Sequence, residues 1–341
     1  MSVAKIVRVL LSLGILFTGS QTWADIGATG SYFDNSGYDD AWSGGARMIP
    51  IHSPDGDFKV WVKRTGNNPR LKLLLLHGGP AVPSDYLEVM DSFLPGAGIQ
   101  YYRYDQLGAG NSDRPDNDDL WNLDRFVEEV EQVRSTLGLS RENFCLYGQS
   151  WGGLLAIEYA LKYQEKLKCL VISNMVASIP AYNEYARTTL MPELKPEDLA
   201  LVQQLEAEGK TDDPRYMGVL VPEFYEKHIL RRPAAEWPEP FNRSLARANN
   251  HIYTLMQGPS ELGASGRLSQ WDRFADLKKI TVPTLLIGAR YDTMDPAYIR
   301  KMAKQMPNAE VWISERGSHL AMYDDQDAYF QSLIRFLTEQ E

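Results

Sequence analysis

The chain has 341 residues, 44% hydrophobic and 23% charged, an ordinary globular composition that excludes a disordered or collagen-like protein. Its 35 basic against 45 acidic residues leave a net charge of −10, which argues against nucleic acid as a partner because phosphates demand a basic footprint. One core is near its useful limit at this length, so a single large domain carrying an insertion or lid is expected.

Residues 1–24 have the pattern of an export signal. Lys5 and Arg8 precede an apolar run from Val9 to Phe17, and Thr22 and Ala24 suit the −3 and −1 positions of a cleavage site. The run is shorter than the ~20 apolar residues a membrane span needs, so no stable membrane insertion is expected after signal removal. No cysteine before Cys145 offers a lipid attachment site, and the mature chain is expected in the periplasm or secreted. Residues 25–46, rich in Gly, Asp and Ser, read as an N-terminal arm.

Short β-rich runs follow at Met48–His52, Phe58–Lys63, Leu71–Leu76, Gln100–Tyr104, Phe144–Tyr147 and Cys169–Ser173, then much later at Thr284–Gly288 and Val311–Ser314. Several are almost wholly apolar, as strands covered on both faces must be. Helical spacing separates them, for example Leu123, Phe126, Val127, Val130 and Val133. Alternating strands and helices predict an α/β fold with a mostly parallel central sheet flanked by helices. From 177 to 279 the alternation stops. Amphipathic stretches at Glu197–Glu208, Met217–Leu230 and Phe241–Met256, punctuated by prolines, predict a helical lid inserted before the last two strands. The core is then 47–176 and 280–341. The two cysteines, Cys145 and Cys169, lie in apolar runs and are expected to be buried free thiols, although an exported protein can join such a pair.

Gly148-Gln149-Ser150-Trp151-Gly152-Gly153 follows one predicted strand and opens a helix. A serine nucleophile at such a junction occupies a sharp turn that exposes its hydroxyl, and the residues two before and two after it have no room for a Cβ. Serine needs a base, and in this strand–turn–helix context the partners follow in the order Ser, acid, His. Of the five histidines only His319 lies beyond the last strand, which makes it the candidate base. Asp292 ends the penultimate strand and is assigned to orient it. Asp295, three residues on and before Pro296, suits a helix N-cap. The oxyanion donors are predicted to be the backbone N–H groups of Trp151 and of Gly79 in His77-Gly78-Gly79-Pro80, since Pro80 has none. His77 is expected to buttress that loop, and Asp105 to anchor the tight loop around Gly108 and Gly110. No metal-ligand spacing exists, and no cofactor is expected.

These residues resemble the proline iminopeptidase family of α/β-hydrolases, which includes the tricorn-interacting aminopeptidases. The resemblance rests on HGGP (His77–Pro80), YDQLGAGNS (Tyr104–Ser112), GQSWGG (Gly148–Gly153), MQGPSEL (Met256–Leu262), ARYDTMDP (Ala289–Pro296) and GSHLAMYDD (Gly317–Asp325). It implies an α/β-hydrolase fold and release of an N-terminal residue, favouring proline, from short peptides or amides with a free amine. It also implies that Glu261, in the lid's GPSE segment, holds the substrate's ammonium. Two positions depart from the pattern: Thr293 follows Asp292 where many relatives carry a second amine-binding Glu, and Ala81 follows HGGP where Gly is usual. Rival expectations for the same triad are a carboxylesterase, lactonase or amidase, and a catalytically silent binding protein.

Overall fold

The computed structural model describes residues 45–68 and 70–341. The predicted signal peptide and nearly all of the arm lie outside the described residues.

Eight strands form one sheet: β1 (Ala46–Ser53), β2 (Gly56–Thr65), β3 (Lys72–Leu76), β4 (Gln100–Asp105), β5 (Phe144–Gln149), β6 (Cys169–Ser173), β7 (Thr284–Ala289) and β8 (Ala309–Ser314). Their spatial order is β1-β2-β4-β3-β5-β6-β7-β8. The first two pairings, β1 with β2 and β2 with β4, are antiparallel, and all the others are parallel. Side chains alternate between the two faces. Leu74, Leu76 and Leu146 belong to one buried cluster, whereas Leu73, Leu75 and Tyr147 belong to the other. A strand apolar at every position is therefore one that two helical layers cover. All eight predicted runs became strands.

On one face lie the helices Leu123–Thr136 and Trp151–Tyr163, and the C-terminal helix Gln326–Glu339 packs on the other. Asn122 caps the first of them through a hydrogen bond from Arg125 N–H (3.0 Å). Between β6 and β7 the chain is helical apart from its connecting loops, with Pro196–Ala207 close to its expected position. The expected single helix over 241–256 is instead two, Glu239–Ala246 and Asn250–Met256. The side chain of Asn249 accepts from the N–H of Ile252 and so starts a new helix where continuation was predicted. As expected, Asp295 caps Pro296–Gln305 by accepting from Ala297 N–H (2.8 Å).

The cysteine expectation is overturned. Cys145 on β5 and Cys169 on β6 are directly paired across parallel strands and form a buried disulfide. Both are fully buried, as expected from their apolar runs. What placed their sulfurs together was the register between two strands separated by an entire helix, which no single run of sequence displays.

Candidate active site

Ser150 sits between β5 and the helix Trp151–Tyr163 with φ 55° and ψ −128°, a conformation that costs a non-glycine residue about 1–3 kcal/mol. The flanking glycines explain how the chain reaches it. A Cβ on Gly148 would lie 2.0 Å from the Gly152 carbonyl oxygen, and one on Gly152 would lie 2.1 Å from that of Leu76. The turn brings Ser150 to the wall of a cavity of about 460 Å³ beneath the lid, shared with Gly78, Gly79, Gln149, Glu261 and His319.

His319 enters on the loop after β8. Its Nδ1 lies 2.8 Å from Asp292 Oδ1, which leaves Nε2 for a partner in the cavity. Among the described residues the Ser150 hydroxyl makes no hydrogen bond; serine–imidazole contacts commonly tighten only when substrate binds. Asp292 follows β7, fully buried behind His319. Its Oδ1 also accepts from Met294 N–H (3.1 Å), and its Oδ2 accepts from Asn174 Nδ2 (2.7 Å). Burial disfavours the imidazolium of His319, but the charge and hydrogen bond of Asp292, with a further contribution from Glu261, outweigh it and raise its pKa above the usual value.

Thr293 does not occupy the cavity wall. It is fully buried with Oγ1 3.2 Å from His319 Nδ1 and 3.4 Å from Asp292 Oδ1, so it touches the acid and the imidazole instead of any amine.

The Gly79-Pro80 bond is cis, and Gly79 takes φ 113°, a region glycine enters freely. Trp151 opens its helix, so its N–H has no intrahelical carbonyl. Its indole donates to Gln106 Oε1 (2.8 Å), fixing the side chain away from the cavity. His77 Nε2 accepts from Gln106 N–H (2.9 Å), so its proton resides on Nδ1, which donates to the Gly78 carbonyl (2.9 Å). Burial lowers its pKa against the opposing influence of Asp105 and that carbonyl, leaving a neutral buttress. Asp105 accepts from Ser84 N–H and Asn111 N–H (both 2.9 Å), an anchor as expected. Ala81 stands at φ 60°, a left-handed conformation that glycine adopts without the steric cost of a Cβ.

Glu261 projects from the lid, ringed by tyrosines. Tyr253 donates to its Oε1 (2.5 Å), Tyr182 donates to its carbonyl (2.6 Å), and its own N–H donates to Tyr225 Oη (3.4 Å). Burial, together with the adjacent carboxylate, keeps these phenols protonated well above their ordinary range. Tyr253 holds one oxygen of Glu261, and among the described residues the other makes no hydrogen bond. Of the lid aromatics, Tyr216, Tyr225, Trp237, Phe241 and Tyr253 line the cavity, whereas Phe224 is fully buried against His228 within the lid. Sequence reasoning passed over Tyr86, Gln149 and Asn174. Only Gln149, beside the nucleophile, carried a local signal.

The lid is tied to the core at both ends of the site. His319 N–H and Leu320 N–H donate to the carbonyls of His228 and Ile229 (both 2.9 Å). On the other side Arg247 pairs with Asp85 (2.8 Å) and Arg243 with Glu88 (2.5 Å).

Residues 73–326 match the family described as alpha/beta hydrolase fold. The chain is 49% identical over 292 residues to a proline iminopeptidase of Flavobacterium johnsoniae, covering 86% of this chain and 98% of that one. It is 50% identical over 294 residues to that of Elizabethkingia meningoseptica, with the same coverage. Among solved structures, a proline iminopeptidase of Mycobacterium smegmatis superposes with a TM-score of 0.76 at 30% identity, over 86% of this chain and 98% of that one. A fold with the lid between its sixth and seventh strands, a buried acid–imidazole pair on the same cavity as an elbow serine, and these relatives converge: the chain belongs to the proline iminopeptidase family of α/β-hydrolases.

Proposed function

We propose that this chain is a serine aminopeptidase that releases an N-terminal residue, preferentially proline, from short peptides or amides. Ser150 attacks the carbonyl and His319 takes the proton, then returns it to the leaving amine. Asp292 holds the imidazole in the required tautomer. The N–H groups of Gly79 and Trp151 receive the charge that develops on the carbonyl oxygen. Water then releases the acyl group by the same route in reverse. Glu261 holds the substrate's ammonium, and a charge-assisted hydrogen bond of that kind fixes orientation as well as affinity. With Thr293 turned toward the triad, amine capture rests on Glu261.

The observation that carries this reading is the placement of Glu261, held by tyrosines, in the wall of the cavity that contains Ser150 and His319. The relatives named proline iminopeptidase support it. Hydrolysis of proline anilide, its N-acetyl derivative and a short-chain nitrophenyl ester tests it. Turnover of the free amine far above the acetylated compound is expected; equal cleavage of both would overturn the peptidase assignment.

We further infer export to the periplasm or beyond. The signal-like pattern of residues 1–24 and the Cys145–Cys169 disulfide support it, since disulfides persist chiefly in oxidising compartments. Cell fractionation with N-terminal sequencing of the mature protein tests it, and full-length protein in the cytoplasm would refute it.

A further inference from the structure

Gln149 is the residue immediately before the nucleophile, and it is 2% exposed. Its two amide atoms make opposite contacts. Nε2 donates to the backbone carbonyl of His319 (3.1 Å), and Oε1 accepts from Tyr86 Oη (2.7 Å). Tyr86 Oη in turn accepts from the N–H of Gly78 (2.7 Å), the residue before the predicted oxyanion donor. The direction of every proton is determined. A carbonyl oxygen only accepts, so it must face the amide NH₂. A phenol that accepts from a backbone N–H must send its own proton onward, so it must face the amide oxygen. Burial holds that phenol protonated far above its ordinary value.

We infer that Gln149 is a positioning residue for acyl transfer, clamping the oxyanion loop to the loop that carries the base, with Ser150 between them. The inference rests on the serine-hydrolase reading above. The chains leading to Gly78 and Ser150 pair as β3 and β5 only as far as Leu76 and Gly148, and beyond that point Gln149, bonded directly to the His319 carbonyl and through Tyr86 to Gly78, links these two segments with the loop that carries His319. Close approach is built in: a Cβ on Gly78 would lie 3.0 Å from Gln149 Oε1 and 3.1 Å from Ser150 Cβ. Tyr86 is itself braced through its backbone, where Ser244 Oγ of the lid accepts from its N–H (2.8 Å) and Tyr323 Oη donates to its carbonyl (2.6 Å). The clamp is thus fixed to both lid and core, and a loosened Gln149 lets the donor and the base drift independently. Misplacement by an ångström suffices to lose two orders of magnitude in rate.

Gln149→Met keeps the volume and removes both hydrogen bonds, and Tyr86→Phe breaks the same chain one link away. Each is assayed on proline anilide and on a short-chain nitrophenyl ester, with thermal melts and titration of Ser150 by a fluorophosphonate to count folded, reactive sites. Each variant is expected to lose roughly 10- to 100-fold in kcat on both substrates, with KM within about threefold and full titration stoichiometry at a slower rate. The double variant should be no worse than the weaker single, because both break one chain. Values of kcat within threefold of wild type, losses confined to KM, or losses that multiply in the double variant overturn the clamp. Should the wild type cleave the ester but not proline anilide, the peptidase reading falls, and the clamp stands or falls on kcat for the ester alone.

Discussion

Asp292 and His319 meet at 2.8 Å, both shut away from solvent, with the aspartate secured from its far side by Asn174 and the imidazole carried on a loop that the lid holds by two backbone hydrogen bonds. Neither residue could keep this geometry alone, since the pair joins the loops after β7 and β8.

Acidification is expected to abolish activity with an apparent pKa above the ordinary ~6.5 of histidine. Burial alone would lower the pKa, but Asp292 and then Glu261 overcome it, so the folded state binds the proton more tightly than the unfolded chain. In the proposed mechanism the base is the neutral form of His319, present above the raised pKa and lost as pH falls through it. Stability runs oppositely: the pair's stabilising contribution is complete below ~6.5 and disappears as pH rises through the folded value. A pH profile of kcat/KM checks this, and an acid limb at or below 6.5 contradicts it.

Asp292→Asn should lower kcat by about 10⁴-fold while leaving the fold intact, because the imidazole would lose the partner that selects its tautomer. Steady-state kinetics beside a thermal melt distinguish this from unfolding.

Glu261→Gln should raise KM for free-amine substrates by roughly 10- to 150-fold, as expected for losing a charged hydrogen bond of ~1.5–3 kcal/mol, and spare ester hydrolysis. Tyr253→Phe, which frees the Glu261 oxygen it now binds, should give a smaller change in the same parameter. An unchanged KM in Glu261→Gln would remove the residue from the site.

Two glycines should respond oppositely to alanine. Gly152→Ala forces a Cβ to within 2.1 Å of the Leu76 carbonyl oxygen and should destabilise the protein by about 3 kcal/mol or more. Gly218, exposed in the lid helix Pro214–Leu220 with open space around it, should become about 0.5–1 kcal/mol more stable. Thermal or urea unfolding reads both.

Reducing the disulfide should lower stability by about 3.5 kcal/mol, the chain-entropy value for a sequence separation of 24. Thiol titration should find no reactive thiol in the native enzyme's described residues and two after reduction and unfolding. A double Cys→Ala variant with unchanged melting would show that the cross-link contributes nothing.

Much of the site was legible because its constraints are local. The elbow needs small residues at fixed offsets from Ser150, an N-cap needs Asp295 before Pro296, and a strand buried on both faces must be apolar throughout. Chain order alone then singled out His319 among five histidines. The break at Asn249 was harder, because an asparagine within an amphipathic stretch serves equally as a surface residue or as the cap of a new helix. Thr293 shows the limit most plainly: its place next to Asp292 in the chain says nothing of where its hydroxyl points, and in the fold that hydroxyl lies against the acid and the imidazole.

Sequence by itself therefore determined the strands and which side chains are candidates for the chemistry, since periodicity, turn sterics and capping act over a few residues. Tertiary structure alone decided that Cys145 faces Cys169, that Glu261 stands among tyrosines from three lid segments, and that Gln149 joins two loops. Those contacts depend on strand register and on how the lid docks, and both are settled by packing between segments far apart in the chain.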